Sequence, residues 1–443
     1  MIDPEERQEQ ESAYVALDGN GSAISDVATA GERIEEAHDP YLALHYRDFR
    51  LLLAGRFVAT MGEQMLNVAI GWELYQRTNS ALALGFVGLV QVAPVIALAL
   101  PAGQIADRFN RKMVIGSAIG MLTLSALGLA LLSSTRGPLP LVYVCLLAFG
   151  IGDAFYTPAS SAFISQVIPA TVFGNAATWS SSSWQLAAVL GPALGGFVIA
   201  WQHGATTVYV LEAVATVIYL LLLVQIRSRH QPVRTSDQAK GFAALVEGVN
   251  FVRSTKVILA AITLDLFAVL FGGATTLLPI FARDILHVGP VGLGWMRALP
   301  SIGAVLMAVT LAHLPPFPRA GRTLLLAVAG FGAATIIFGV SRWFPLSLAM
   351  LFLLGALDNI SVVMRSTLML VRTPDAMRGR VSAVNSVFVG MSNQLGGFES
   401  GVTAAILTPT LSVIGGGIGT IVVVIAVALI WPQIRRLGLL IER

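Results

Sequence analysis

The stretch FGIGDAFYTPASS (149–161) returns 205 residues later as LGALDNISVVMRS (354–366), with Gly150 over Gly355 and Asp153 over Asp358. The same offset pairs Pro169 with Pro374, Gly174 with Gly379, Gly191 with Gly396 and Gly196 with Gly401. A register kept without a gap from residue 149 to residue 196 reads as duplication rather than as shared apolar composition. The chain is therefore expected to consist of two halves built on one plan.

Working outward from the repeat, apolar runs interrupted by Pro, Gly and basic clusters fall at 49–76, 81–106, 113–134, 139–164, 175–200, 205–226, 257–282, 289–312, 323–341, 345–370, 381–407 and 411–432. Each is long enough to cross about 30 Å of hydrocarbon as a helix. The 443 residues are 55% hydrophobic and 12% charged, whereas soluble domains are about 25% charged. These features predict an all-α integral membrane protein of twelve transmembrane helices in two six-helix, pseudo-symmetric halves. The halves are residues 41–226 and 257–443, joined by a linker at 227–256. Within the linker, GFAALVEGVNFVRS places Phe242, Leu245, Val249 and Val252 on one side of a short amphipathic helix, the pattern of a segment lying on a membrane surface.

Charge sets the orientation. Residues 1–40 hold eleven acids against Arg7 and Arg33, a net −9, and so the remainder of the chain is +12. With so few apolar residues, the tail reads as a disordered acidic extension, and it lacks the basic start and apolar run of a signal peptide. Beyond the tail, connections on the side of the termini hold nineteen Lys and Arg, while the opposite connections hold only Arg77, Arg136, Arg283 and Arg342. The positive-inside rule then puts both termini in the cytoplasm, with the chain multi-pass in the plasma (inner) membrane.

Several function classes are poorly served by this composition. Cys145 is the single cysteine, and the six histidines have no partner four residues away; neither a disulfide nor a metal cage is expected, and no cofactor. No phosphate-binding loop of the G-x-x-x-x-G-K-[ST] type occurs, and lysine is found only at 112, 240 and 256. A nucleotide-driven pump, an enzyme and a nucleic-acid partner are all disfavoured.

Between the second and third spans lies GQIADRFNRK, residues 103–112. It resembles the G-x-x-x-D-R-x-x-R-K signature of the major facilitator superfamily. The resemblance implies the major facilitator fold and a cytoplasmic gate motif made of Gly103, Asp107, Arg108, Arg111 and Lys112. In physical terms Gly103 would allow close helix approach, Asp107 would cap or pair across the gate, and the basic residues would hold the loop inside. In the second half the matching loop, HLPPFPRAGR, keeps only Arg319 and Arg322 of that pattern. The fifth span carries LAAVLGPALGGF, 186–197, similar to the G-x-x-x-G-P-x-x-G-G motif of exporters in the superfamily. Ala187 replaces its first glycine, leaving Gly191, Pro192, Gly195 and Gly196 as the exporter-like helix-five motif; generic small-residue packing explains the same glycines. The loops IPATVFGNA (168–176), TPDAMRGRV (373–381) and YQRTNSALALG (75–85) look most like the enterobactin-exporter-like subfamily of secretion and drug-efflux carriers. That likeness extends over about residues 44–435.

Acids inside the spans are the strongest functional signal. An ionised side chain near the bilayer centre costs about 2.5–3.5 kcal/mol or more, and should face a cavity or a partner. Glu63, Asp153, Asp265 and Asp358 lie deep in the first, fourth, seventh and tenth spans, the helices that the resemblance implies line the central cavity. A carboxyl group there can take up and release protons as the cavity opens to either side. Glu63 and Asp153 are read as carrying protons or binding a cationic substrate group, with Asp265 and Asp358 as second-half counterparts. The competing reading is a set of structural salt bridges to Arg56, Arg297 and Arg365. Glu212, closer to the end of its span, is expected to reach the interface.

The function expected is a secondary active transporter, proton-coupled, that exports a small amphipathic drug, siderophore or metabolite by alternating access. Its partners are then a small-molecule substrate, protons and the lipid bilayer. The alternatives are an importer or uniporter of a small solute, and a non-transporting membrane sensor.

Overall fold

The computed structural model describes residues 39–227, 241–272, 274–315 and 317–438. The acidic tail at 1–38 and residues 228–240 of the linker lie outside the described residues. Six helices form the first half: α1 Arg47–Thr78, α2 Ala81–Arg108, α3 Arg111–Ser134, α4 Leu139–Val167, α5 Phe173–Gln202 and α6 Thr206–Gln225. The second half comprises α7 Lys256–Ile285, α8 Gly289–His313, α9 Ala320–Val340, α10 Phe344–Arg372, α11 Asp375–Ile406 and α12 Pro409–Ile430. Most boundaries fall within three residues of those the apolar runs predict. The exception is α11, which begins at Asp375 directly after Pro374, six residues ahead of the apolar run. Its first turns, DAMRGR, are too polar to register as a span but have no reason to break the helix.

Ten of the twelve long helices are apolar enough to cross a membrane by length and composition. The two that are not, α1 and α11, have 32 residues each, or about 48 Å at 1.5 Å per residue. Both pack inside the bundle, α1 between α5 and α6, and α11 against α2 and α7. Each packs against two other long helices, which reduces the need for an apolar surface all round.

Sharp turns follow the local chemistry. Ser80, Asn110 and Thr408 cap α2, α3 and α12 by accepting hydrogen bonds from the backbone N–H groups of Ala83, Lys112 and Leu411. In α7 the α-helix is interrupted after Phe271, resumes at Ala274 and ends in a π-helical turn, Phe281–Ile285. The linker helix Gly241–Ser254 lies against α11, where Val249 and Val252 join Val381 and Val384 in an apolar cluster and Glu247 pairs with Arg380 at 2.6 Å. The side chains of Phe242 and Leu245 are outside the description.

The bundle has two unlike ends. The terminal end carries the start of α1 and the close of α12; the distal end carries the turns between α1 and α2 and between α7 and α8. At the distal end one apolar cluster runs continuously through both halves, from Met65, Leu66 and Val208 to Phe281, Met296 and Phe338. At the terminal end each half has a cluster of its own, around Ile115 and Phe163 in the first and Leu264 and Leu324 in the second.

Candidate functional site

The halves meet along two helix pairs, α5 with α8 and α2 with α11. Both contacts depend on missing side chains near the distal end. A Cβ on Gly401 would lie 2.7 Å from the Cα of Gly85, and one on Gly294 would lie 3.2 Å from the Cα of Gly196. Toward the terminal end of α2, α5 and α11, Gly103, Gly174 and Gly379 have nothing within 4 Å of such a position among the described residues. A polar clasp closes the distal seam. The Tyr75 hydroxyl donates to Asp284, Arg283 donates to the Asn79 side-chain oxygen at 2.7 Å, and the Arg283 guanidinium lies over the Tyr75 ring, 5.4 Å from its centroid. Tyr75 is thus buried in a contact between the halves. Sequence gives no signal for this contact between residues more than 200 apart.

Beneath the seal is a cavity of about 240 Å3 between the halves, with Asn67, Gly71, Gln91, Thr276, Arg297 and Gln394 in its wall. It is lined by α1, α2, α7, α8 and α11. Helices α4 and α10 contribute nothing to this wall, so Asp153 and Asp358 stand outside it. Glu63 is one helical turn from Asn67 on the same face of α1 and is exposed, at the midpoint of its helix. Glu63 is near enough to Asp153 and to Glu212 for their charges to interact. Among the described residues, none of these three acids has a basic side chain within 4 Å. Asp153 accepts a hydrogen bond from the Thr157 hydroxyl at 3.0 Å.

Glu212 departs from its expected place at the interface. It is 1% exposed, its carboxyl lies directly against Gly62 of α1, and among the described residues Oε2 has no hydrogen-bond partner. The sequence hid this because depth along a helix does not reveal which neighbour covers it.

The second half handles its acids differently. Asp265 and Arg365 form an ion pair whose side chains are 7% and 5% exposed. Asp265 and Asp358 border the same small void between α7, α9 and α10. Of the three arginines read as structural partners, Arg365 is paired, while Arg56 and Arg297 are in no ion pair among the described residues.

The gate-motif residues stay within the first half. Arg111 donates to the Ala162 carbonyl at 2.9 Å, and Lys112 donates to the carbonyls of Val224 and Ile226 at 2.8 and 2.7 Å. A cation on the last carbonyls of α6 is favourably placed. Asp107 is exposed and lies 3.8 Å from Arg111, and Arg108 is exposed as well. The helix-five motif divides its contacts. Gly191 and Gly195 seat α5 on Gln64 and Met65 of α1, whereas Pro192 and Gly196 meet Gly294 and Pro290 of α8 across the halves.

The Major Facilitator Superfamily profile matches residues 52–398. The chain belongs to the major facilitator superfamily. This facilitator is 26% identical over 393 residues to the enterobactin exporter EntS of Escherichia coli O1:K1, across 88% of this chain and 92% of that protein. The same figures hold for EntS of Shigella boydii serotype 18. Among solved structures it resembles a peptide transporter, POT, in complex with sulfate, with a TM-score of 0.68 at 15% identity over 91% of this chain and 100% of that one. A D-xylose–proton symporter matches with a TM-score of 0.66 at 15% identity, over 89% of this chain and 100% of that chain. At such identities the solved structures share the fold. The facilitator is a multi-pass membrane transporter of a small molecule, and its superfamily consists of carriers rather than enzymes.

Proposed function

We propose that this carrier exports a small amphipathic molecule from the cytoplasm in exchange for protons, by rocking residues 41–226 against 257–443. The terminal end is then cytoplasmic, as the basic connections suggest, and the structure corresponds to the state open to the cell interior. The observation that carries the reading is Glu63. It is a carboxyl group at the middle of a helix, exposed toward the interior of the bundle, with Asp153 nearby and, among the described residues, no cation within 4 Å. Two uncompensated carboxyl groups brought together inside a membrane protein are more stable when at least one holds a proton. Opening toward an acidic exterior loads that proton, and opening toward the cytoplasm releases it as substrate enters. Export as the direction is supported by the exporter among the relatives and by the likeness of the α5 motif to that of exporters in the superfamily.

Glu63→Gln keeps the size and polarity of the side chain and removes the proton. Efflux of a panel of dyes, antibiotics and siderophore-like compounds from a pump-deficient host, at matched membrane expression, is the test. We expect wild type to expel at least one compound, with expulsion lost in Glu63→Gln and on collapse of the proton gradient. Full activity with Gln at position 63 sinks the coupling assignment, and accumulation of an external solute would reverse the direction.

A further inference from the structure

We infer that the transported molecule carries an anionic oxygen group, a carboxylate or a comparable planar oxyanion, and that Arg297 holds it at the closed end of the cavity. This rests on the transport reading above and specifies its substrate class. Arg297 is on α8, about two turns from the distal end, in the wall of the cavity between the halves. Its Nε is buried and has no hydrogen-bond partner, and among the described residues no carboxylate oxygen is within 4 Å of its guanidinium. The side chains that share the wall are neutral: Asn67, Gln91, Thr276, Asn393 and Gln394. A guanidinium inside a membrane protein without a counter-charge costs several kcal/mol.

The fold is able to pair such a group. In the same half Arg365 is neutralised by Asp265. The nearest acid on the cavity face of α1, Glu63, is eight residues from Gly71, the residue opposite Arg297, or about 12 Å along the helix. Gly71 itself leaves the space clear. A Cβ there would lie 3.1 Å from Pro279 and 3.5 Å from an Arg297 nitrogen, so any larger residue would fill the place next to the guanidinium. The planar fork of donors in arginine matches the two oxygens of a carboxylate, and the surrounding amides and hydroxyl can serve the rest of a polar ligand. The fixed cation thus stands at the sealed end of the cavity, while Glu63 lies outside the cavity wall, farther along α1. The anion and the proton have separate seats, so both can be handled in one cycle.

The test uses the purified full-length carrier in detergent and reads binding by intrinsic tryptophan fluorescence. The probes are benzoate, salicylate and 2,3-dihydroxybenzoate, each beside its uncharged amide. For at least one pair we expect the carboxylate to bind about 10- to 100-fold more tightly, the range for a charge-assisted hydrogen bond. Arg297→Gln should bring that pair within about twofold while leaving the affinity for the amide unchanged, and Arg297→Lys should retain part of the preference. Equal binding of acid and amide throughout the wild-type panel overturns the inference, and that comparison requires no variant to fold. Failure of every carboxylate to bind, survival of the preference in Arg297→Gln, or displacement of the probe by chloride at equal ionic strength also overturns it. Carboxylate binding without expulsion from cells would leave the anion site standing and remove the export reading. Expulsion of compounds without regard to negative charge would do the opposite.

Discussion

Asp153 at the middle of α4 and Asp358 at the middle of α10 occupy matching places in a duplicated sequence, yet their surroundings have diverged. Near Asp153 is Glu63, exposed toward the interior, and Glu63 in turn neighbours the buried Glu212; among the described residues none of the three is in an ion pair. Around Asp358 the neighbouring acid, Asp265, is locked to Arg365. Duplication conserved the seat of the aspartate and left its electrostatics free to change. Among the described residues, Glu63, Asp153 and Glu212 of the first half are in no ion pair, whereas in the second half Asp265 is neutralised by Arg365.

This contrast is easiest to break in the second half. Removing one partner of a buried pair leaves the other uncompensated, so Arg365→Met should destabilise the folded carrier by about 3–5 kcal/mol, seen as a large fall in thermal midpoint. The double variant Arg365→Met, Asp265→Asn should recover most of that loss. Glu63→Gln, by contrast, should not lower the midpoint, and a fall as large as that of Arg365→Met would erase the distinction between the halves.

A smaller effect separates the two ends. Gly401→Val places a branched side chain against the backbone of α2, and overpacking of this kind costs about 1–3 kcal/mol. We expect it to shift the carrier away from the distal-closed state. In a Cys145→Ala background, a cysteine introduced at Asn67 should then react faster with a reagent added on the distal side. Unchanged labelling would mean that the glycine contact does not hold the seal. The smallest effect is expected at Asp107. Its contact with Arg111 is solvent-exposed, and such pairs contribute at most about 1 kcal/mol. Asp107→Asn should therefore leave the thermal midpoint nearly unchanged, and a drop comparable to that of Gly401→Val would show that the gate motif bears structural weight in this state.

The sequence made the helices legible because apolar length is a local property. The two halves were legible because Gly150, Asp153, Pro169 and their partners recur at one offset. The family was legible from GQIADRFNRK. Which acids face a cavity, a cation or nothing was not legible, since this depends on rotation about each helix axis and on neighbours far away in sequence. Asp265 and Arg365 are 100 residues apart, and nothing in either segment singles out the other. Glu212 and Arg297 show the same limit. One seemed near enough to water to escape burial, the other a natural partner for an acid, and among the described residues neither is in an ion pair.

The polarity of α1 has a consequence for how the protein is made. A segment carrying Arg56, Glu63, Gln64 and Asn67 is less apolar than the ten helices able to cross a membrane by composition, although it precedes α5 and α6 in the chain. Its stable position between α5 and α6 exists only after those helices have been synthesised. Helix α1 therefore depends on later helices for its place in the bilayer, and assembly of this half is cooperative rather than helix by helix.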